Sequence, residues 1–316
     1  MITFLHSETI VQDASLKIVI AGGTGLIGSA MVDALLREGH SITILSRSGR
    51  PSHRGASLVL WDATNVEDWF QSLSGVDAVV NLSGESLGAG RWTKKQKDRI
   101  TSSRVRATRA LAEAIGRVAD KPRVLVNASA VGYYGHVDEA EVNESSPPGA
   151  DFLAGVCVEW EAAASSASAH GTRVVMLRTG FVLSPDSDAF RRMVLPFRLF
   201  AGGPYGSGRQ WFPWIHLADV VSGYLSAIQN ESLRGPVNLV APNPVRVNQL
   251  AKALGKSLRR PSFLPAPAFA LRLALGEMAD LLLKGQRVLP EQLKKNRFIF
   301  RFPTLAEALD DVTKAR

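Results

Sequence analysis

A glycine-rich loop near the amino terminus, Gly22-Gly23-Thr24-Gly25-Leu26-Ile27-Gly28, constrains the fold of this chain more than any other feature. It follows the β-branched run Lys17–Ala21 and precedes a helical stretch over residues 29–38, so we predict a strand, a tight turn and a helix. One glycine permits the turn, one lets a pyrophosphate approach the backbone, and the last allows the helix to pack closely on the strand. The unpaired N–H groups at the start of the helix favour an anion. The expected contacts of a dinucleotide are Gly22, Thr24, Gly25, Leu26, Ile27 and Gly28.

Short apolar runs and longer helical stretches alternate along the first 180 residues. Further strands are predicted over residues 41–45, 57–60, 77–81, 124–127 and 173–177, and further helices over residues 66–73, 93–118 and 152–169. This alternation is typical of a parallel sheet that is covered by helices on both faces. We therefore predict an α/β fold with a Rossmann-like, doubly wound parallel sheet.

The spacing becomes irregular after Gly180, where clusters of proline and glycine interrupt the pattern. We predict that this region is a smaller, mostly helical C-terminal lobe that returns at least once to the sheet and forms the substrate site. The predicted boundaries are a flexible extension over residues 1–15, a dinucleotide-binding domain over residues 16–180, and a mixed region over residues 181–316 with a helical domain at 264–311.

The residues after the second strand indicate which dinucleotide is bound. An NAD-binding protein places an Asp or Glu about 20 residues after the loop, on the ribose hydroxyl, but this chain has Leu45-Ser46-Arg47 there. The Arg47 guanidinium, helped by Ser46 and Arg50, can hold a 2′-phosphate through several donors. The sequence thus favours NADP(H) over NAD(H). The predicted order of the strands would place Asp62 at the adenine amine, and Asn81, Leu82 and Ser83 beside the ribose. Each of them can equally be a turn residue.

Composition and charge argue against several other classes of protein. The formal net charge is +8, but the basic residues are dispersed rather than gathered in one tail, so nucleic-acid binding is not expected. The lone cysteine, Cys157, excludes an intramolecular disulfide and a cysteine-built metal site, and a reducing cytoplasm is the simplest compartment. Residues 1–15 do not resemble a secretory signal, and three charges interrupt the apolar segment 264–283, so no membrane span is expected. We expect a cytoplasmic protein, compatible with a homodimer, that binds a small-molecule substrate and no metal.

Several motifs carry a resemblance to a known family, and they span nearly everything after residue 16. They are Gly22 to Gly28, Asn81-Leu82-Ser83-Gly84-Glu85, Ser102-Ser103-Arg104, Asn127-Ala128-Ser129-Ala130-Val131-Gly132-Tyr133-Tyr134-Gly135, Leu177-Arg178-Thr179-Gly180, Trp214-Ile215-His216-Leu217-Ala218-Asp219-Val220, and the tail over residues 264–309. With them the chain resembles the extended short-chain dehydrogenase/reductase superfamily, in particular its atypical nucleotide-sugar-epimerase-like branch with a C-terminal domain of unknown function.

The resemblance implies a serine after the fifth strand and a Tyr-x-x-x-Lys pair on the next helix, in which the lysine lowers the pKa of the tyrosine from about 10. Ser129 matches the serine. The tyrosine position falls among residues 151–153 and the lysine position among residues 155–157, where neither type occurs, and no Lys or Arg stands between residues 124 and 172. A cation from this stretch therefore cannot activate a phenol.

Other side chains are candidates for the missing proton transfer and for substrate binding. Tyr133, or else Tyr134, can replace the tyrosine, because both lie shortly after Ser129 on a loop that is expected to cross the nicotinamide. The weaker alternatives are Cys157, Glu85, Glu159 and Glu161, and His216 with Asp219 is interpreted as structural. The predicted substrate-binding residues are Trp92, Arg104, Arg209 and Trp211, the arginines for an anionic group such as a diphosphate, although packing and surface charge explain them as well.

Two functions fit these residues. The first is an NADP(H)-dependent oxidoreductase or epimerase that acts on a carbonyl or hydroxyl carbon of a sugar-like or small polar substrate. In this function Ser129 orients the substrate oxygen, and Tyr133, a water or the substrate itself handles the proton. The second is a protein that binds NADP(H) with little or no turnover and uses the occupancy to stabilise a conformation that a partner reads. The missing Tyr and Lys favour the second function.

Overall fold

A seven-stranded, all-parallel sheet forms the centre of the computed structural model, which describes residues 15–49, 55–137 and 139–314. In chain order the strands are β1 (Lys17–Ala21), β2 (Ser41–Ser46), β3 (Ser57–Leu60), β4 (Ala78–Asn81), β5 (Val124–Ala130), β6 (Glu141–Val142), β7 (Arg173–Thr179), β8 (Phe181–Leu183), β9 (Trp211–Phe212), β10 (Trp214–His216), β11 (Gly235–Leu239), β12 (Val245–Arg246) and β13 (Arg287–Val288). The sheet has the order β3-β2-β1-β4-β5-β7-β11. Of the predicted extension, only Ser15 lies among the described residues.

The helices cover both faces of this sheet and build the lobe after it. They are α1 (Leu26–Arg37), α2 (Lys94–Arg117), α3 (Phe152–Ser165), α4 (Asp188–Arg198), α5 (Leu217–Gln229), α6 (Val247–Leu258), α7 (Ala268–Leu275), α8 (Asp280–Leu283), α9 (Glu291–Lys295) and α10 (Leu305–Lys314). The predicted α/β, Rossmann-like fold is confirmed.

The alternating side chains of β1 explain why helices pack on both faces. Ile18 and Ile20 lie in a core with α1 and α5, whereas Val19 and Ala21 lie in a second core with α2. Successive residues of a strand point to opposite faces, so a strand that is apolar at every position needs cover on both sides. The β-branched run after Leu16 therefore belongs in the middle of the sheet.

Among the element boundaries that differ from the sequence prediction, two have a physical reason in the hydrogen bonds around them. Of the predicted helix over residues 66–73, only Phe70–Leu73 is helical, as a 3-10 turn. The chain before it forms a turn instead, because the side chains of Asp62 and Asn65 accept hydrogen bonds from nearby backbone N–H groups. Strand β5 continues to Ala130, beyond the predicted end at residue 127, because it pairs with β7 along its full length.

The region after residue 180 forms a third apolar core and one edge of the sheet. Strand β11 pairs with β7, while α4, α6 and α10 pack around a core that includes Trp214. Three small ladders join the remaining strands: β8 with β10, β9 with β12, and β6 with β13. Among the described residues no helix combines the length and apolar character that a bilayer crossing requires, and no three potential metal ligands cluster.

The last fifty residues are held by both halves of the molecule. Leu293 lies in the core beneath the sheet, and the Asp219 carboxylate accepts hydrogen bonds from the backbone N–H groups of Arg301 and Phe302, at 2.6 and 3.0 Å. His216 caps α5 by accepting from the Ala218 N–H group at 3.0 Å, and its other ring nitrogen lies 3.1 Å from Asp311. His216 and Asp219 thus hold the C-terminal region in place.

Candidate functional site

The glycine loop packs so tightly that two of its glycines have no room for a side chain. Gly22 has φ +83°, and a Cβ there would lie 2.8 Å from the carbonyl carbon of Leu82, in the loop after β4. A Cβ on Gly28 would lie only 2.3 Å from the Gly22 carbonyl oxygen. Gly25 is different, since a Cβ there would contact only that same oxygen, at 3.5 Å. The loop is therefore closed on its inner side and open at Gly25.

The open side of the loop is the amino terminus of α1. Gly25 is the N-cap residue, and no side chain in the described chain caps the helix. Thr24 and Gly25 are exposed, and Leu26 and Ile27 are half-buried. The first N–H groups of a helix have no partner within it and carry a partial positive charge. The arrangement suits a phosphate group, and the geometry leaves space for one at Gly25.

The predicted phosphate-selecting residue stands at the end of β2. Arg47 is exposed and makes no ion pair with any residue that the structure describes, whereas Ser46 is buried and its hydroxyl accepts a hydrogen bond from Ser48 N–H at 3.2 Å. Arg50 lies outside the described residues. Asp62 is exposed, and its carboxylate accepts from two backbone N–H groups at 2.8 and 2.7 Å, which lower its pKa. Asp62 thus closes a turn in this structure.

Asn81 lies inside the protein, where its amide joins neighbouring elements. It is fully buried, and its Nδ2 donates to Thr108 Oγ1 at 2.8 Å and to Asn127 Oδ1 at 2.7 Å. Its Oδ1 accepts from Ser83 N–H at 3.1 Å and so shapes the loop that also contains Leu82. The Asn81 side chain thereby ties β4 to β5 and α2, and it brings the backbone of the following loop to the carboxyl edge of the sheet.

Ser129 points into a buried ion pair. Its hydroxyl donates to Glu161 on α3 at 2.6 Å, and the same carboxylate accepts two hydrogen bonds from the Arg178 guanidinium, both at 2.8 Å. Ser129 and Arg178 are almost fully buried. Glu161 was a candidate base from the sequence, but its pairing with Arg178 was not predicted. The available signal was a charged residue inside the apolar run of β7, because a buried charge requires a partner.

The two adjacent tyrosines have different environments. Tyr134 is buried, its hydroxyl donates to Asn238 at 2.6 Å and accepts from Arg178 at 3.0 Å, and burial raises its pKa to about 12. Tyr133 is half-buried, and the Arg178 guanidinium carbon lies 3.4 Å from the centre of its ring. The Tyr134 phenol is therefore neutral and hydrogen-bonded within the protein. The Tyr133 ring lies instead against the Arg178 guanidinium, just after the end of β5.

The first turns of α3, where the resemblance leads us to expect a tyrosine and a lysine, pack against the loop after β5. A Cβ on Gly132 would lie 3.3 Å from Leu153 Cβ and 4.0 Å from Cys157 Sγ, so both side chains of α3 lie beneath the loop that carries Tyr133. Cys157 is buried and donates to the Ala130 carbonyl at 3.7 Å, and burial, together with the Glu161 charge, raises its pKa to about 12. The thiol is neutral at physiological pH, which makes it a poor nucleophile.

Arg104 is a half-buried cation on α2. Its guanidinium carbon lies 5.2 Å from the centre of the Trp160 ring. A Cβ on Gly84 would lie 3.1 Å from the same guanidinium carbon. No carboxylate among the described residues lies within ion-pair distance of Arg104. Glu85 pairs with Arg99 instead. Burial lowers the pKa of Arg104. A partly desolvated positive charge thus stands beside the loop after β4.

The other predicted substrate residues belong to two separate clusters. Trp92 packs edge-on against Phe152, at the start of α3, with 5.5 Å between the ring centres. Trp211, in the lobe, lies between the guanidinium groups of Arg246 and Arg287, at 4.3 and 4.9 Å. Those two arginines pair with Glu139 and Glu141 respectively. The exposed Arg209 joins the second cluster through its carbonyl, which accepts from Arg246, and its charge also helps to lower the pKa of Glu139.

Comparison with known proteins agrees with this geometry. A family model described as the NAD dependent epimerase/dehydratase family matches residues 18–239. The chain belongs to this family. A second model, described as a domain of unknown function (DUF1731), matches residues 266–312 of this epimerase-family chain. The resemblance stated from the sequence motifs is thereby confirmed.

Individual relatives extend the match over almost the whole chain. An epimerase family protein of Staphylococcus saprophyticus is 42% identical over 298 residues, which cover 93% of this chain and 98% of the relative. The crystal structure of the human epimerase family protein SDR39U1 (isoform 2) with NADPH has a TM-score of 0.86 at 33% identity, and the match covers 95% of this chain and all of that one. The nucleoside-diphosphate sugar epimerase from Corynebacterium glutamicum has a TM-score of 0.78 at 32% identity, over 95% of this chain and 58% of its own.

Proposed function

We propose that this epimerase-family protein binds NADP(H) at the carboxyl edge of its sheet. The observation that carries the proposal is the uncapped start of α1 at Gly25, open to a phosphate above a loop that Gly22 and Gly28 pack closed. Arg47 adds an exposed guanidinium at the position that distinguishes the phosphorylated dinucleotide. The NADPH in the human relative supports the same assignment.

The residues at this edge fit the dinucleotide chemically. The N–H groups at residues 25–28 would hold the pyrophosphate, Arg47 the 2′-phosphate, and the backbone of Leu82 and Ser83 the neighbouring ribose. When bound, the nicotinamide supplies or accepts a hydride. The protein's own contribution is to orient a substrate carbon there and to move a proton.

The reaction that we propose is oxidation, reduction or epimerisation at a carbonyl or hydroxyl carbon of a sugar-like or small polar substrate. Tyr133 is the proposed proton-transfer residue, since it stands at the end of β5 with the Arg178 guanidinium against its ring. Ser129 is a positioning residue in this proposal, because its hydroxyl and Glu161 together hold Arg178 in place. Arg104, which has no acidic partner within the described chain, would bind an anionic group of the substrate.

The packing at Gly132 favours a second candidate function, a cofactor-binding protein without turnover. By the resemblance, the superfamily's tyrosine and lysine would fall among residues 151–153 and 155–157. Leu153 and Cys157 pack against the loop there, and neither side chain can move a proton at neutral pH. Such a protein would need only the glycine loop and Arg47, and a partner would read the conformation that the dinucleotide stabilises.

Binding is tested first, with the fluorescence of NADPH and with calorimetry for the oxidised cofactors. We expect wild type to prefer NADPH over NADH, and Arg47→Asp to weaken NADPH binding by roughly tenfold to a hundredfold, since each factor of ten corresponds to about 1.4 kcal/mol. The same variant should bind NADH about as well as wild type does. A variant that keeps the wild-type preference would contradict the role of Arg47, and no binding of either dinucleotide would contradict the proposal.

Turnover separates the two candidate functions. NADPH absorbance is followed against a panel of carbonyl compounds, and nucleotide sugars are assayed for epimerisation by NMR. Turnover that is lost in Tyr133→Phe, while that variant still binds NADPH, supports the enzyme. Tight NADPH binding with no reaction of any compound supports the non-catalytic protein.

A further inference from the structure

The C-terminal region of unknown function sends one segment across the carboxyl edge of the sheet. This segment, which we call the strap, comprises residues 268–286 and contains α7, a 3-10 turn at Gly276–Ala279, and α8. Near its first helix it contacts the nucleotide-binding half. The Arg91 guanidinium donates to the carbonyls of Leu273 and Ala274, and Lys97 Nζ lies 2.6 Å from the Glu277 carboxylate.

The other end of the strap is fixed to the lobe and to the loop after β5. Gln210 donates to the Leu282 carbonyl at 2.9 Å, next to Trp211. The Gly285 carbonyl accepts from Val137 N–H at 3.4 Å, and Gln286 donates to the Gly135 carbonyl. Gly285 also packs against the Trp211 backbone so closely that a Cβ would lie 1.9 Å from its carbonyl oxygen. This end of the strap is anchored.

The strap therefore spans the place where a ligand would react. The residues that contact its first half, Arg91 and Lys97, follow β4. Those that contact its other end, Gly135 and Val137, follow β5 and come just after Tyr133. Strands β4 and β5 are neighbours in the sheet. In open α/β sheets ligands bind at the carboxyl ends of the strands. The contacts at Arg91 and Lys97 lie beside the predicted substrate residue Trp92, because the Lys97 ammonium group is 5.0 Å from the centre of the Phe152 ring on which Trp92 packs.

The middle of the strap has little buried surface, and the polar contacts of Arg91 and Lys97 join it to the nucleotide-binding half. Just before the strap, Ala266 is paired with the backbone of the lobe at Pro204 and Gly206. No residue of α7 is buried, and its side chains Phe269 and Leu273 are 73% and 78% exposed. Lys97 and Glu277 are partly exposed, and an ion pair in that environment contributes about 1 kcal/mol or less. Gly276 has φ +62°, with open space around the position of a Cβ, and it separates α7 from the turn.

We propose that the strap is a lid over the cofactor and substrate, latched by Arg91 and Lys97, with both of its ends anchored and its middle, around Gly276, able to move. The proposal rests on the proposed function, since it needs a ligand at the carboxyl edge. It assigns a role to the region of unknown function: the strap opens to admit the ligands and closes on them, and breaking the latch shifts it toward the open position.

A cross-link across the latch tests the lid. The double variant Lys97→Cys/Glu277→Cys is treated with a short bismaleimide, and NADPH dissociation is followed by stopped-flow fluorescence. Cys157 is buried, so the two introduced thiols are the ones expected to react. One control is the same variant capped with N-ethylmaleimide. The other is Glu67→Cys/Arg117→Cys, cross-linked in the same way, which replaces an exposed ion pair of the nucleotide-binding half outside the strap.

We expect the latch cross-link to slow NADPH dissociation by roughly tenfold or more relative to the capped protein, which lacks the latch and should release NADPH faster than wild type does. The cross-linked Glu67→Cys/Arg117→Cys protein should behave as wild type. Conversely, Lys97→Met should speed dissociation and raise hydrogen exchange in residues 268–283, whereas Arg117→Met should change neither. If NADPH binds with the same rates in the cross-linked and capped proteins, the lid is wrong and the proposed function stands. If wild type binds no NADPH, the proposed function fails and the lid with it.

Discussion

At the scale of single residues, two glycines of the loop, Gly25 and Gly28, have different surroundings that the spacing of the glycines cannot reveal. Gly28 lies against the Gly22 carbonyl oxygen and serves packing, whereas Gly25 faces open space, where the proposed ligand would bind. Both glycines were predicted as cofactor contacts from their spacing. The difference depends on which side of the loop the Cα hydrogens of each glycine face, and the spacing of the glycines along the sequence does not show this.

The two alanine variants of this loop should therefore behave differently. Gly28→Ala forces a Cβ to within 2.3 Å of a backbone oxygen, so we expect its free energy of unfolding to fall by about 1–3 kcal/mol. Gly25→Ala should lose less than about 1 kcal/mol, yet its NADPH dissociation constant should rise by roughly tenfold or more because the methyl group enters the phosphate site. Urea unfolding and NADPH fluorescence measure the two effects. The idea would be overturned by a Gly25→Ala variant that binds as tightly as wild type.

The thiol of Cys157 should make stability depend on pH in the alkaline range. Its pKa rises from 9.0 to about 12 on folding, so above pH 9 the thiol ionises in the unfolded chain while it stays neutral in the folded one. The stabilisation by the neutral buried thiol is complete below that pH and is lost as the pH rises toward 12. The difference in unfolding free energy between wild type and Cys157→Ala should therefore shrink between about pH 7 and about pH 10. A constant difference would show that the thiol is accessible to solvent.

At the scale of elements, the site is held by contacts between neighbouring strands and helices. Strands β1 to β4 follow from local apolar runs and turns, which is why their bounds were predicted to within about one residue. The Glu161–Arg178 pair joins α3 to β7 and depends on how those elements pack. The apolar run around Arg178 indicates that this arginine needs a buried partner, but no local pattern identifies Glu161 as that partner. Asn81 was predicted to face the cofactor, but its register opposite Asn127 places the two amides against each other inside the protein.

The buried pair between α3 and β7 should be far more sensitive to mutation than a pair on the surface. Glu161→Gln leaves the Arg178 charge buried without its counter-ion, so we expect the free energy of unfolding to fall by about 3–5 kcal/mol. Glu67→Gln, which breaks the exposed pair with Arg117 at 2.7 Å, should cost less than about 1 kcal/mol. Urea denaturation at neutral pH measures both variants. Equal losses would mean that the Arg178 guanidinium reaches water.

At the scale of the whole molecule, the two regions that family models match separately are parts of one folding unit. Leu293 lies in the core beneath the sheet, and Asp219 on α5 binds the backbone at residues 301 and 302. A helical domain at 264–311 was predicted, but no pattern in the sequence shows that this region completes the core of the other half.

We therefore expect one cooperative thermal transition for the full chain, with equal calorimetric and van't Hoff enthalpies. A protein truncated after residue 286 lacks Leu293 and the backbone partners of Asp219, and it should show no such transition and no native near-UV circular dichroism. Truncation after residue 314, beyond α10, is the matched control and should unfold like the full chain. Two separate transitions in the full chain would contradict this prediction.

The Arg104 guanidinium on α2 also restricts which residues can stand at position 157. A lysine there would lie near the Arg104 charge and near Glu161, whose oxygens already bind Arg178 and Ser129. The new ammonium would meet like charge without a free counter-ion among the described residues. A basic residue at position 157 would therefore require that the charge of Arg104 be removed as well.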